Sequence, residues 1–590
     1  MSTRAFRSKP TDGNTFYPRL MGTHGAVAAN SYLSVNAGVD ILKGGGNAID
    51  AACAATLVEG LVNPQMNTVG GECPILIRPA GTDRVVAING NMAAPMAATP
   101  EAFGVRGLDA VPADGILSAG VPATLGAVVT ALARLGTMSF AEVVAPARLL
   151  ASEGFAVSAA LVNQENYGLR DLAPKFERWP GSKNLYTPGG SAPAVGDRQR
   201  NPAVARLYAY LSDIEGNTQG DRDARLQAVY DAFYRGDIAG EIARFSKERE
   251  GLLERSDLER FETRIEAPVS FDFGRARVYK CDFWTQGPAL LQSLAILAAF
   301  DLRGMGHGTA EYCHVLIEAM KLAFADREQY YGDPAQAHVP AETLLSADYG
   351  RRRAELIDLQ KANNELRPGD AFRNAELLPR DERFNPAPWG PGTVHVDVID
   401  PSGNMASFTP SGGWIRSNEV IEPLGFPLSC RMMTFYLGPS NHPNVVAPGK
   451  RPRTTLTPSL AFRDGRPWMT FGTMGGDQQD QWLLQFFLNR EVFGMTIQEA
   501  IEAPKLSSEH FPGFFAPHVG FRNRVRVESR MGSEVLDELR ARGHDVEEAP
   551  DWTEGYVSAA QIDETSGMLE VGCDPRGSKG ETFPAYAFAW

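Results

Sequence analysis

Three short stretches carry residues that could do chemistry. In WGPGTVHVDVID (389–400) a loop rich in proline and glycine stops at Gly392, and Thr393 follows. A threonine hydroxyl is a poor nucleophile unless a base takes its proton, and that base can be its own α-amine once the preceding peptide bond is cut. Glycine before the threonine suits such a cut, because it permits close approach and unusual backbone angles. The plainer alternative is a β-former at the start of a strand. In FGTMGGDQQDQW (471–482), Gly475 and Gly476 lie between an apolar run and a helical pattern. Free N–H groups there make an oxyanion site, or else only a tight turn. The GK[ST] ending of a nucleotide loop is missing, which disfavours ATP. In GKRPRTTLTPSLAFRDG (449–465), Thr454 and Thr455 sit beside Arg451 and Arg453. That group could hold a carbonyl or carboxylate, or be a solvated basic loop before a strand.

Each stretch needs an element to position it. Val394, Val396 and Val398 alternate with His395 and Asp397, which predicts a strand over 393–400, and DPSGN (400–404) predicts the turn into a second at 404–409. Further strands are expected at 458–463, 467–472, 524–529 and 556–562, and a helix over about 477–494. Upstream, GGGNAIDAACAATLVEGLVNP reads as an apolar helix stopped by Asn63-Pro64, its small residues allowing close packing on a sheet. A second helical tract over 118–155 breaks at Gly136, and 200–265 is charged and helical in pattern. The longest predicted helix covers 309–331, and 335–392 reads as a long surface connection. Helices dominate before about 392 and strands after it. Mixed elements in both halves favour an α/β or α+β sandwich over separate all-α and all-β domains.

On length alone, 590 residues would suit about three or four domains. A composition of 43% hydrophobic and 22% charged residues allows an ample core, and the net charge of -14 argues against nucleic acid or an anionic membrane as the main partner. The six cysteines (53, 73, 281, 313, 430 and 573) form no CxxC pair and the nine histidines no HExxH. No metal site is therefore expected, and the thiols read as reduced and buried. The segment MSTRAFRSKPTDGNTFYPRL lacks an apolar signal core, and nothing nears the roughly 20 apolar residues that span a bilayer. The expected location is cytoplasmic.

Taken in order, the three stretches resemble the γ-glutamyltranspeptidases (glutathione hydrolases), a family of N-terminal nucleophile hydrolases. The resemblance covers nearly the whole chain, through GTHGAVAANSYLSVNAGVDILKGGGNAIDAACAA, SAGVPATLGA, EAMKLAFADREQYYGDP, IQEAIEAPKLSSE and GCDPR. It implies a four-layer αββα sandwich. It also implies a precursor that cuts itself between Gly392 and Thr393, so that a large subunit (1–392) and a small one (393–590) share one unit; further homo-oligomerisation is left open. The freed α-amine of Thr393 would be the base and its hydroxyl the nucleophile. Gly475 and Gly476 fall on the family's oxyanion pair, Thr454 and Thr455 on its paired substrate-contacting serines. Ser411 falls on a second threonine that supports the nucleophile. No cofactor is implied, because nucleophile and base belong to one residue.

The glutamyl pocket departs from the family. The arginine that grips the substrate α-carboxylate aligns with Asn91, the aspartate that grips the α-amine with Met433, and an asparagine contacting that amine with Gly413. Without the aspartate, a buried ammonium would be left unpaired at a cost on the order of 2–5 kcal/mol. Arg431 and Arg453 are candidates to rebuild a carboxylate site, against the alternative of solvated loop arginines. Trp414, Met432, Met433 and Phe435 suggest a more apolar wall, or simply core.

The leading expectation is a self-processing amidohydrolase acting on a small-molecule, non-glutamyl amide, with oxamate amidohydrolase and cephalosporin acylase as precedents in the superfamily. A γ-glutamyl enzyme with a rearranged pocket is the runner-up. An unprocessed, non-catalytic binding protein is the third reading.

Overall fold

A computed structural model describes residues 15–372, 392–578 and 583–590. Fourteen strands build two large sheets: Leu20–Gly22 (β1), Ala26–Ala29 (β2), Ile75–Arg78 (β3), Val86–Asn89 (β4), Arg264–Glu266 (β5), Val269–Phe273 (β6), Ala276–Lys280 (β7), Val396–Ile399 (β8), Met405–Phe408 (β9), Ser459–Arg463 (β10), Arg466–Gly472 (β11), Ser558–Ile562 (β12), Leu569–Cys573 (β13) and Tyr586–Ala589 (β14). The first sheet runs β1-β13-β12-β11-β10-β7-β6 and the second β14-β2-β8-β9-β3-β4-β5, antiparallel throughout.

The two sheets pack face to face. Ala28, Leu76, Ile399 and Met405 of one meet Leu460, Phe462, Ala560 and Val571 of the other in a single apolar layer. The outer faces are covered by helices. Over the second sheet, Ala48–Val62 (α1) and Thr124–Leu135 (α2) press Ile49, Ala52 and Val128 onto Val396, Val398 and Phe408. Over the first, Gly287–Leu297 (α3), Ala310–Tyr330 (α4) and Gln479–Glu491 (α5) bring Leu290, Leu316 and Phe487 against Val278, Met469 and Phe471. The architecture is a four-layer αββα sandwich, as the resemblance implies. Because sheet faces are covered on both sides, β8, β9 and β10 are buried along nearly their full length.

The helix starts follow capping chemistry. Asn47 accepts from the N–H groups of Ile49 and Asp50 while Asp50 answers to the Asn47 N–H, and Thr309 accepts from Tyr312. Strand edges differ from expectation at the site itself. The strand predicted from 393 begins its ladder at Val396; Thr393 makes only an isolated antiparallel bridge to Ser411. The face carrying His395 and Asp397 is not polar surface: both side chains lie between the sheets, 3.0 Å apart. The His395 ring fills the place a Cβ at Gly472 would need. The expected long connection from 335 carries two short helices, Ala341–Leu344 and Ala347–Ala354; its stretch 373–391 lies outside the described residues. Helices do dominate before Gly392 and strands after it, as expected, but the two portions do not form separate sheets. β1–β7 precede Gly392, β8–β14 follow it, and both sheets interleave the two sets.

Candidate active site

Thr393 sits at the mouth of β8, 3% exposed, and its Oγ1 is 3.1 Å from Ser411 Oγ. The bridge between the two backbones fixes that approach, with Ser411 N and O also paired to Glu72 O and N at 2.8 Å. Ser411 Oγ has three partners. It donates to the Gly392 carbonyl at 2.8 Å, and Arg431 Nη2 donates to it at 2.8 Å. A hydroxyl has one hydrogen and two lone pairs, so with its hydrogen on Gly392 the remaining contact must be a bond donated by Thr393 Oγ1. The lone pairs of the threonine oxygen are left free.

The Gly392 carbonyl takes a second donor. Trp414 Nε1 lies 2.6 Å from it and 2.8 Å from the Met66 carbonyl. Arg416 stacks between the rings of Tyr167 and Trp414, 4.0 and 4.1 Å from their centroids, and fills the space where a Cβ at 392 would stand. A side chain at 392 would have to displace the Arg416 guanidinium.

Arg431 and Arg453 are buried, so the alternative of solvated loop arginines holds for neither. Arg431 Nε pairs with Glu72, whose other oxygen accepts from Ser429 Oγ at 2.6 Å. Arg453 gives Nη2 to Glu328 at 2.8 Å and Nη1 to the Arg327 carbonyl. Burial by itself would raise the Glu328 carboxyl, but Arg453 and Arg327 outweigh it and hold the group at about 2. Arg327 also ion-pairs with Asp477, in the turn after Gly475 and Gly476. Both arginines expected to be available to a substrate carboxylate already hold protein carboxylates.

The glycine pair and the threonine pair are tied together. Gly475 (φ 119°) and Gly476 (φ 59°) adopt left-handed backbone that favours glycine, and a Cβ at 475 would strike the Trp482 ring. The Gln286 backbone N–H donates to Thr454 O, and its side-chain amide donates to Gly476 O at 3.0 Å. Gln479 reaches Thr455 Oγ1 at 3.4 Å. Val394 and Met474, the sequence neighbours of Thr393 and Gly475, belong to one buried apolar cluster with Met66.

Around this centre, Gly413 (φ 57°) lies so close to Thr68 that a Cβ would sit 2.3 Å from Thr68 Oγ1 and 2.8 Å from Gly71 N. No side chain fits at 413. Met433 packs with Trp414, Cys430 and Phe515, an apolar wall as its residue type suggested. Asn91 is buried with its Nδ2 on the Pro452 carbonyl, and its Oδ1 has no partner among the described residues. Glu72 was missed by sequence reasoning. Its signal was a lone acid in the small, apolar run VGGECP. Trp414 was noticed only as an apolar wall, not as a donor. Among the described residues no three His, Cys, Asp or Glu side chains gather as metal ligands.

Known proteins are similar to this chain along nearly its whole length. The family described as Gamma-glutamyltranspeptidase matches residues 34–583. The glutathione hydrolase-like YwrD proenzyme of Bacillus subtilis is 30% identical over 95% of this chain and 98% of its own. The oxamate amidohydrolase proenzyme of Klebsiella pneumoniae is 30% identical over 95% and 98%. Among solved structures, LmbA2991HD superposes with a TM-score of 0.90 at 40% identity, covering 97% of this chain and 99% of that one. The cephalosporin acylase of Bacillus halodurans gives 0.83 at 27% identity, covering 100% and 99%.

Proposed function

Because the chain belongs to the γ-glutamyltranspeptidase family, and so is an amide hydrolase or acyltransferase, we propose that it is a self-processing N-terminal-threonine amidohydrolase not specific for γ-glutamyl groups. The observation that carries the reading is the threonine hydroxyl held 3.1 Å from Ser411 beside a doubly hydrogen-bonded Gly392 carbonyl. In the precursor, Thr393 Oγ1 attacks the carbonyl carbon of Gly392. The oxygen takes the negative charge, already faced by Trp414 Nε1–H and Ser411 Oγ–H. Collapse breaks the peptide C–N bond, and the departing threonine nitrogen takes up the proton that the hydroxyl loses. Water then cleaves the ester, leaving a carboxylate on Gly392 and a free amine on Thr393.

In the processed enzyme the α-amine of Thr393 takes the proton as its hydroxyl attacks a substrate amide. The N–H groups around Gly475 and Gly476 receive the oxyanion. The leaving amine departs with the proton, and water hydrolyses the acyl ester. Thr454 and Thr455, tied to the same turn through Gln286 and Gln479, are the substrate-contacting pair in this reading.

Against a glutamyl headgroup stand three facts: no side chain fits at Gly413, Met433 faces apolar neighbours, and Arg431 and Arg453 are neutralised by Glu72 and Glu328. The name of the Bacillus subtilis relative favours a γ-glutamyl enzyme with a rearranged pocket. The names of the oxamate amidohydrolase and the acylase favour other amides. The discriminating experiment is turnover of an amide panel (γ-glutamyl, oxamyl, glutaryl and short acyl) alongside a denaturing gel. Two fragments and release of amine from a non-glutamyl amide support the reading. Glutamate release as the dominant activity would replace it with the alternative, and one intact band with no turnover would leave only a binding protein.

A further inference from the structure

A cavity of about 330 Å3 opens beside the glycine pair, lined at one end by Gly475 and Gly476 themselves. Its walls are aromatic: Trp482, Phe514, Phe515, Phe521, Tyr556 and Phe583. The charges around it are spent, with one exception. Asp477 holds Arg327 and the Phe514 N–H. Glu554 holds Arg526 and accepts from Trp482 Nε1 and Ser507 Oγ, and Arg526 reaches on to Glu547. Glu509 also lines the cavity, yet its carboxylate makes no hydrogen bond or ion pair among the described residues. Burial pushes that carboxyl up, Arg526 draws it down, and Glu547 pushes it up again. Arg524 draws it down as well, but among the described residues neither arginine is bonded to it, so its oxygens are open to a cation.

We propose that this cavity is the subsite for the organic group attached to the scissile amide, and that it takes an aromatic or cyclic apolar body bearing a basic nitrogen, the ring against the aromatic walls and the ammonium on Glu509. Ring faces attract a cation as well as apolar surface, so walls and carboxylate select the same chemistry. An anionic group of similar size would meet Glu509, while Arg526 and Arg524 nearby are already paired with Glu554, Glu547 and Asp545. The inference rests on the reading that Gly475 and Gly476 receive the amide oxygen, which is what makes the cavity part of the reaction centre.

The test is calorimetric titration of the processed protein with three probes of like size: phenethylamine, benzyl alcohol and phenylacetate. Phenethylamine should bind most tightly and phenylacetate least. Glu509→Gln, which keeps size and hydrogen bonding, should weaken phenethylamine about tenfold while leaving benzyl alcohol unchanged. Phenethylamine should also inhibit turnover of any amide substrate competitively. Equal binding of phenylacetate, no binding of any probe, or an unchanged phenethylamine affinity in Glu509→Gln overturns the proposal. Binding is read without turnover, so a failure of the amidase reading is seen separately, as absence of activity with the probes still bound. Non-competitive inhibition would put the cavity outside the reaction path and overturn the proposal as well.

Discussion

The indole nitrogen of Trp414 lies 2.6 Å from the carbonyl oxygen of Gly392, the residue before the candidate nucleophile. The same oxygen receives Ser411 Oγ at 2.8 Å, so two donors converge on the atom that would carry charge during a cut at 392–393. This pair is separate from Gly475 and Gly476, so bond breaking in the precursor and in a substrate would use different donors.

Trp414→Phe keeps the ring and removes the donor. Loss of one such donor is expected to slow self-cleavage on the order of a hundredfold, about 3 kcal/mol in the barrier. The measurement is the rate of fragment appearance on a denaturing gel after expression. Cutting at the wild-type rate in a folded variant would dismiss the indole from the reaction.

Thr393→Ala should give one uncut chain with no amidase activity, whereas Thr393→Ser, which keeps the hydroxyl, should still yield the fragments 1–392 and 393–590. An active Thr393→Ala protein would sink the mechanism.

Glu72→Ala leaves the Arg431 guanidinium buried without its partner, which should cost about 3–5 kcal/mol of unfolding free energy. Glu72→Ala combined with Arg431→Met should recover most of the stability without restoring full processing, because Ser411 Oγ still lacks its donor. Chemical denaturation and the gel read the two effects independently.

Gly413→Asn would reinstate the family's side chain. The Thr68 hydroxyl and Gly71 nitrogen leave no room, so a loss of about 1–3 kcal/mol is expected, with no gain of γ-glutamyl hydrolysis. A stable variant that releases glutamate would show that the pocket adapts.

Glu328 titrates at about 2 in the fold, below its ordinary 4.5, through Arg453 and Arg327 acting against burial. A depressed carboxyl contributes stability above its unfolded value and loses it as pH falls toward the folded one. The contribution, on the order of 3 kcal/mol, should be fully present above about pH 5 and decline between 4.5 and 2. Denaturant titrations across that window should show a shallower acid slope in Glu328→Gln.

Much of the fold was legible because it is local. The alternation before Asp400, the DPSGN turn, the Thr309 cap and the Gly475-Gly476 turn each depend on neighbours in sequence, and the predicted strands and helices fall within a few residues of β8–β12, α4 and α5. Thr393, Gly475 and Gly476 were singled out by resemblance as candidates. Other features were not, because they join distant residues. Glu72 meets Arg431 across 359 positions, and Trp414 meets the Met66 carbonyl across 348. No window of sequence holds both partners. The burial of the polar face of β8 was hidden for the same reason: alternation marks two faces, but the second sheet that buries His395 and Asp397 is brought there by the rest of the chain.

Both sheets join strands from before and after Gly392: β2 pairs with β8, β9 with β3, β7 with β10. The architecture can therefore be held without covalent continuity, since each sheet contains seams between the two segments. A cut enzyme that loses its structure would have to find itself again as a bimolecular reaction. Recovery from unfolding would then depend on dilution, and a molecule once severed would carry a persistence set by how fast it opens rather than by how readily it forms.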